Sequence, residues 1–277
     1  MYTKVGIIGF GNMGSAIAGR IKEKYSLIVF DKERSKTPAA LPIAVASDIA
    51  QLLKASEVAI LAVKPQDFDA VLKEMSGKSD GKLVISIAAG IDTSYIAKHL
   101  GNRVGIIRAM PNIAAGIGES VTCICLGPNA TADDLEFANE LFYYIGTTKD
   151  MPENMMNAAT AISGSGPGYI FYFLDANSID LNTIAEHTKY DIIKRLARAA
   201  ENLGFNSEDA MFLAVNTTNC SINLARASKV PLKELKARVT SKGGTTEAGL
   251  EVLSGGGNWE EAAQAALKRA EQLSRKG

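Results

Sequence analysis

Histidine is nearly absent from this sequence: His99 and His187 are the only two. That scarcity argues against a histidine base and against histidine-rich metal centres; no metal is expected. Cysteine is scarce and odd in number. Cys123 and Cys125 alternate on one strand face and Cys220 lies far away in a helical stretch. These read as structural thiols of a reducing cytosol, not as a disulfide framework. Excess charge of either sign is missing, since 30 Lys and Arg balance 30 Asp and Glu. A nucleic-acid partner is therefore not expected. Long apolar runs are missing too; the longest strand-like one, Val58 to Val63, falls far short of a bilayer, so no membrane partner is expected. A strand-like run starts almost at once after Met1, which leaves no space for a signal peptide and predicts a cytoplasmic protein.

What is present is apolar enough, at 47% of 277 residues, for a sizeable core, and the length suits two domains. Lys4 to Phe10 is a short apolar run entering GFGNMG, where Gly9, Gly11 and Gly14 fit G-x-G-x-x-G. Small and apolar residues then recur at helical spacing from Ser15 to Ile21, and a second strand, SLIVFD, ends at Asp31. In this setting the first glycine makes the turn, the second admits a pyrophosphate and the third lets helix and strand touch. Asp31, about 20 positions further on, stands where an acid binds the adenosine ribose of a dinucleotide. That acid favours NAD. Lys32, Arg34, Ser35 and Lys36 after it suit the 2′-phosphate of NADP, or form a solvated turn. The balance tips to NADP(H), with NAD(H) left open.

The alternation continues. Ser47-Asp48 caps a helix reaching about Lys54, Glu57 to Val63 is a strand closed by Lys64-Pro65, and Gln66 to Met75 is a helix. Leu83 to Ala88, Val104 to Ile107 and Val121 to Leu126 read as strands, with a helix over Thr93 to Leu100. Thr131 to Asp134 resembles a capping box opening a helix that ends near Ile145. The pattern predicts a doubly wound parallel sheet with ligands at the carboxyl ends of its strands: Ala62 to Pro65, Ala88 to Gly90, Arg108 to Asn112. Lys64 there either faces a cofactor or caps a strand. Asp150-Met151-Pro152 marks the boundary, giving a Rossmann-type α/β domain over 1–152 and an all-α domain over 153–277.

Beyond Glu153 strand signals vanish. SGSGPGY, Ser163 to Tyr169, reads as a flexible joint with Pro167 in a first helical turn. Ile170 to Asn177, Asp191 to Leu203, Ser207 to Ala227 and Glu260 to Leu273 read as helices, the last with a face made largely of alanine. Helices with so little interior of their own suggest a dimerisation domain; a self-contained bundle is the alternative. Between Glu153 and Asp175 there is no Lys, Arg or His, only Thr160, Ser163, Ser165 and Tyr169 as hydroxyls. A site without a strong acid suits an electrophile that arrives already protonated, such as an iminium. In VTSKGGTTEAGL, Val239 to Leu250, a double-glycine bend precedes a helix start at Thr245 and Thr246. Unpartnered N–H groups there offer a seat for a carboxylate or phosphate, or belong to an ordinary loop-to-helix joint.

Three stretches together resemble the pyrroline-5-carboxylate reductases: RAMPN at Arg108 to Asn112, SGSGPGY, and VTSKGGTTEAGL. GFGNMG, AVKP (Ala62 to Pro65) and SIAAG (Ser86 to Gly90) agree as well, in the expected order along nearly the whole chain. The resemblance implies NAD(P)H-dependent reduction of L-1-pyrroline-5-carboxylate to L-proline, the last step of proline synthesis. It also implies a homodimer of interlaced helical domains, or a higher homo-oligomer. Ile8, Gly9, Phe10, Gly11, Asn12, Met13 and Gly14 would hold the dinucleotide together with Ala62, Val63, Lys64 and Pro65. Ile87, Ala88 and Ala89 would lie beside it, and Met110 and Asn112 near the nicotinamide. The substrate carboxylate would rest on backbone N–H groups of Gly244, Thr245 and Thr246, with Ser241, Gly243 and Glu153 around it. The Thr246 hydroxyl would reach the ring nitrogen as the catalytic group. Lys242 departs from a usual proline, Ala114 from a frequent proline and Gly168 from a frequent alanine. An apparent insertion around Ser178 to Arg195 falls where the first long dimer helix normally continues. The alternatives are a reductase of another cyclic imine or small hydroxy acid, and a non-catalytic dinucleotide sensor. The missing lysine speaks against the hydroxy acid, and the carboxylate seat against the sensor.

Overall fold

A computed structural model describes residues 2–37 and 43–274. The first half runs β1 (Lys4–Ile8), α1 (Asn12–Ile21), β2 (Ser26–Phe30), β3 (Ala44–Val45), α2 (Ile49–Ala55), β4 (Val58–Leu61) and α3 (Phe68–Met75). It continues with β5 (Leu83–Ser86), α4 (Thr93–Leu100), β6 (Gly105–Met110), β7 (Ser120–Leu126), α5 (Ala132–Tyr143) and β8 (Gly146–Asp150). The strands form one sheet in the order β3-β2-β1-β4-β5-β6-β7-β8. Chain order reverses at β1, which opens a crevice at the carboxyl ends of β1 and β4. Helices cover both faces, so Val58, Ala59, Ile60 and Leu61 of β4 are all fully buried and read as a continuous apolar run.

Local chemistry sets several of these elements. Asp48 caps α2 by accepting the Gln51 N–H at 2.8 Å. At α5 the Thr131 hydroxyl accepts the Asp134 N–H at 3.2 Å, and the Asp134 carboxylate accepts the Thr131 N–H at 2.7 Å. The capping box expected there is formed.

The sheet departs from the all-parallel expectation at one pair: β6 and β7 run antiparallel. Only a short 3₁₀ turn, Ile113–Ile117, separates them, and a crossover helix needs more chain than that. Two strands escape the sequence reading. β8 is Gly-Thr-Thr-Lys-Asp, a polar and partly exposed edge without apolar alternation. β3 has only two residues.

The second half comprises α6 (Met156–Ala159), α7 (Gly166–Ala176), α8 (Glu186–Asn202), α9 (Ser207–Ser228), α10 (Leu232–Val239), α11 (Thr245–Ser254) and α12 (Trp259–Ser274). SGSGPGY is not a flexible joint. Thr160–Gly164 is a π-helical turn between α6 and α7, closed by the Ser165 N–H donating to Thr160 O at 2.9 Å. Ser163 and Ser165 there are fully buried. Such widened turns recur at functional sites. Pro167 does sit in the first turn of α7, as expected.

The helical half also has an interior of its own. Ala262, Ala263, Ala266 and Ala270 of α12 are fully buried, and α12 packs on α11 and α8 of the same chain. The alanine face of α12 is thus covered within the chain, because small side chains let helix axes approach closely. The apparent insertion ends α7 at Ala176 and turns the chain back. The Asp180 carboxylate accepts from the Asn182 N–H and the Thr183 hydroxyl, each at 3.0 Å, and Arg226 Nε donates to Leu181 O at 2.8 Å. From this braced loop α8 returns against α9 and α12.

Candidate active site

The glycine turn after β1 fixes one end of the site. Gly9 has φ +97°, and a Cβ there would stand 2.6 Å from Ala62 O. A Cβ on Gly14 would stand 2.1 Å from Gly9 O, so this glycine lets α1 touch the turn. A Cβ on Gly11 would meet nothing within 4 Å. Open space above the start of α1 is what an incoming pyrophosphate requires, and the helix N-terminus favours its charge. Asp31 is fixed by two backbone donors, Phe10 N–H to Oδ2 at 2.7 Å and Glu33 N–H to Oδ1 at 2.8 Å. Its carboxylate closes the crevice as a ribose acceptor would. The residues present therefore fit a dinucleotide.

Three adjoining hollows run from this turn to the helical half. The first is lined by Ile8, Gly9, Gly11, Asp31 and Lys64 among others. The second, lined by Pro65, Ile87 and Ala88, shares Ala62, Val63 and Lys64 with the first. The third shares Met13, Ala89 and Pro111 with the second and has a volume of about 490 Å³, within the usual range for small-molecule sites. A hollow of about 630 Å³ by Tyr2, Asp133 and Asp134 lies apart, carries none of the motif residues and offers an acidic lining.

The third hollow joins the two halves of the chain. Asn12, Met13, Met110 and Asn112 line one side, Thr160, Ser241, Thr245 and Thr246 the other. The buried Ser165 hydroxyl lies 2.9 Å from Thr245 Oγ1 and accepts from Thr246 Oγ1 at 3.2 Å, which sets both threonine rotamers. Gly244 caps α11 without a side chain, so the N–H groups of Thr245 and Thr246, two residues that line the hollow, have no intrahelical acceptors. Unpartnered N–H groups at a helix start are where an anion can bind. Nearby Tyr169 is fully buried, and burial raises its phenol, which stays protonated. Cys220, behind Asn112, is pushed up to about 12 by burial and is no nucleophile.

Relatives place this geometry in a family. The pyrroline-5-carboxylate reductase of Aquifex aeolicus is 35% identical over 255 residues, covering 90% of this chain and 88% of its own length. That of Methanosarcina acetivorans is 35% identical over 263 residues, covering 92% and 90%. The chain belongs to the pyrroline-5-carboxylate reductase family. Residues 189–276 match the model described as pyrroline-5-carboxylate reductase dimerisation, and residues 4–90 the one described as NADP oxidoreductase coenzyme F420-dependent. A crystal structure of Plasmodium falciparum pyrroline carboxylate reductase with NADP bound shares the fold, at TM-score 0.64 and 26% identity, covering 98% of both chains.

Some residues anticipated from the reductase motifs lie outside the three hollows. Phe10 turns inward and offers Asp31 its N–H; Gly14 packs on the turn. The Gly243 N–H is taken by Glu247 and the Gly244 N–H by Ser241 O, so neither is left for a carboxylate. Asn112 lines the hollow, but its side chain caps the following turn by accepting from the Ala114 N–H at 3.1 Å. Conversely, Arg238 and Leu235 of α10 line the third hollow unanticipated. Their signal was legible: Leu232, Leu235 and Val239 recur at helical spacing after Pro231.

Glu153 is a staple between the halves. It accepts the N–H of Thr93, the first residue of α4, at 2.7 Å and the Thr93 hydroxyl, and lies 3.8 Å from Arg108 Nη1. Arg108 is 1% exposed, and Asn157 Oδ1 accepts from its Nη2 at 2.9 Å. Replacing Glu153 by alanine leaves that guanidinium without its carboxylate. Urea melts should then show a loss of about 2 kcal/mol or more, with the substrate KM within about twofold of wild type. A large rise in KM at unchanged stability would return Glu153 to the substrate pocket.

Proposed function

We propose that this chain reduces L-1-pyrroline-5-carboxylate to L-proline with NADPH or NADH, working as a cytoplasmic homodimer whose residues 1–152 hold the dinucleotide and 153–277 the substrate. The observation that carries this reading is the meeting of Asn12 and Met13, at the start of α1, with the Thr245–Thr246 helix start in one cavity that adjoins the hollow at the glycine turn. When bound, the reduced nicotinamide supplies the hydride. The chain's part is to hold and orient. Thr245 and Thr246 offer N–H groups to the carboxylate, and the Thr246 hydroxyl meets the ring nitrogen. The iminium carbon gains the hydride, and its C=N π pair becomes the amine lone pair. No side chain has to deliver a proton to carbon or nitrogen, which matches a lining of hydroxyls, amides and apolar groups with Arg238 paired to Glu234 at 2.7 Å. An alcohol-forming reductase needs an acid there, so the hydroxy-acid alternative loses support.

The direct test is oxidation of NADPH or NADH on adding pyrroline-5-carboxylate, with L-proline identified as product. Tight cofactor binding without turnover would favour a sensor. Coenzyme choice turns on Asp31, because Lys32 and Lys36 are already paired, with Asp67 at 2.6 Å and Glu33 at 2.7 Å. Asp31→Ser should raise the ratio of kcat/KM for NADPH over NADH about tenfold, by removing a negative charge from the 2′ position. An unchanged ratio would move the ribose elsewhere.

A further inference from the structure

Gly243 is gripped at both backbone polar atoms by side chains with no role so far. Its N–H donates to Glu247 Oε2 at 2.6 Å, and its carbonyl accepts from Arg269 Nε at 2.6 Å. Glu247 lies in the first turn of α11 and Arg269 in the second half of α12, so the two grips come from different helices. Both side chains are partly buried. Gly243 itself has φ +69°, one residue before the N-cap of α11. A Lys-Gly-Gly bend left to itself would sample many conformations. Two charge-assisted hydrogen bonds on one residue select a single one.

The electrostatics make Glu247 informative. A carboxylate beside a seat for another carboxylate has the wrong sign if charge alone shapes the site. Its reach to the N–H before the cap, a variant of the capping box, explains its place instead. With the Gly244 N–H donating to Ser241 O at 2.9 Å, the bend is closed on itself. The next two N–H groups belong to Thr245 and Thr246, which open α11 and line the cavity.

We propose that Glu247 and Arg269 are positioning residues, a clamp on Gly243 that aims the Thr245 and Thr246 N–H groups at the substrate carboxylate. This rests on the imino-acid reading above. The sign of one effect decides it. Charge alone predicts that Glu247→Met tightens the seat for the substrate's carboxylate; the clamp predicts that it weakens it. Glu247→Met and Arg269→Met should each raise the imino-acid KM about tenfold, while the NADPH KM and Tm hold. Glu247→Gln, whose amide oxygen still accepts the N–H, should stay within about threefold of wild type. Amide hydrogen exchange across residues 241–246 should quicken about tenfold in both Met variants, a readout independent of turnover. An unchanged or lower KM in Glu247→Met overturns the clamp. So does a joint change of both KM values with Tm, or unchanged exchange in the bend. Absence of pyrroline-5-carboxylate turnover in the wild type overturns the reaction assignment instead, and the exchange measurement still judges the clamp.

Discussion

Replacing Thr246 by alanine should cut kcat about a hundredfold, equivalent to roughly 2.7 kcal/mol of transition-state stabilisation. Thr246 lines the cavity and its hydroxyl donates to Ser165 Oγ at 3.2 Å, so it is held in one rotamer. Alanine keeps the helix start and its N–H groups, so substrate binding should change less than turnover. NADPH affinity, measured by fluorescence titration, should stay within about twofold, since the dinucleotide hollows are formed by other residues. Thr246→Ser supplies the control, because it keeps the hydroxyl and deletes only Cγ2. That methyl occupies space left by Gly168, where a Cβ would stand 2.5 Å away. Serine should restore most of the rate. Full turnover in Thr246→Ala would remove this hydroxyl from the reaction.

Gly11→Val should weaken NADPH binding about a hundredfold or more while leaving the fold intact. Gly11 has φ −77° and ψ −163°, a conformation open to any residue, and an added Cβ meets nothing. Its isopropyl group would stand in the crevice reserved for the pyrophosphate. Thermal melts should therefore match wild type within about 2 °C. Gly14→Ala separates the two effects, since its Cβ would collide with Gly9 O at 2.1 Å and disturb the turn itself. Wild-type NADPH affinity in Gly11→Val would undo the placement of the cofactor.

Most of the sheet was legible in the sequence because its signals are local. The all-buried run at β4, the capping box at Thr131 and the glycines after β1 each carry their own short-range chemistry. The reversal at β7 was not, because it depends on how little chain follows β6. Nor was β8, whose polar residues are strand only by pairing with β7. Ser163 and Ser165 looked solvent-loving by composition, yet tertiary packing buries them in a widened helical turn. For the site, the glycine-rich motif after β1 marked residues that line the first hollow. The partners of Glu153, and the two hands on Gly243, join residues far apart in sequence. No spacing rule announces them.

Residues from both halves of one polypeptide close the substrate cavity. One polypeptide then carries every reacting group named above, Thr246 included. Mixing subunits disabled at the glycine turn with subunits disabled at Thr246 should yield no complementation, and mixed oligomers would lose activity in proportion to their dead members.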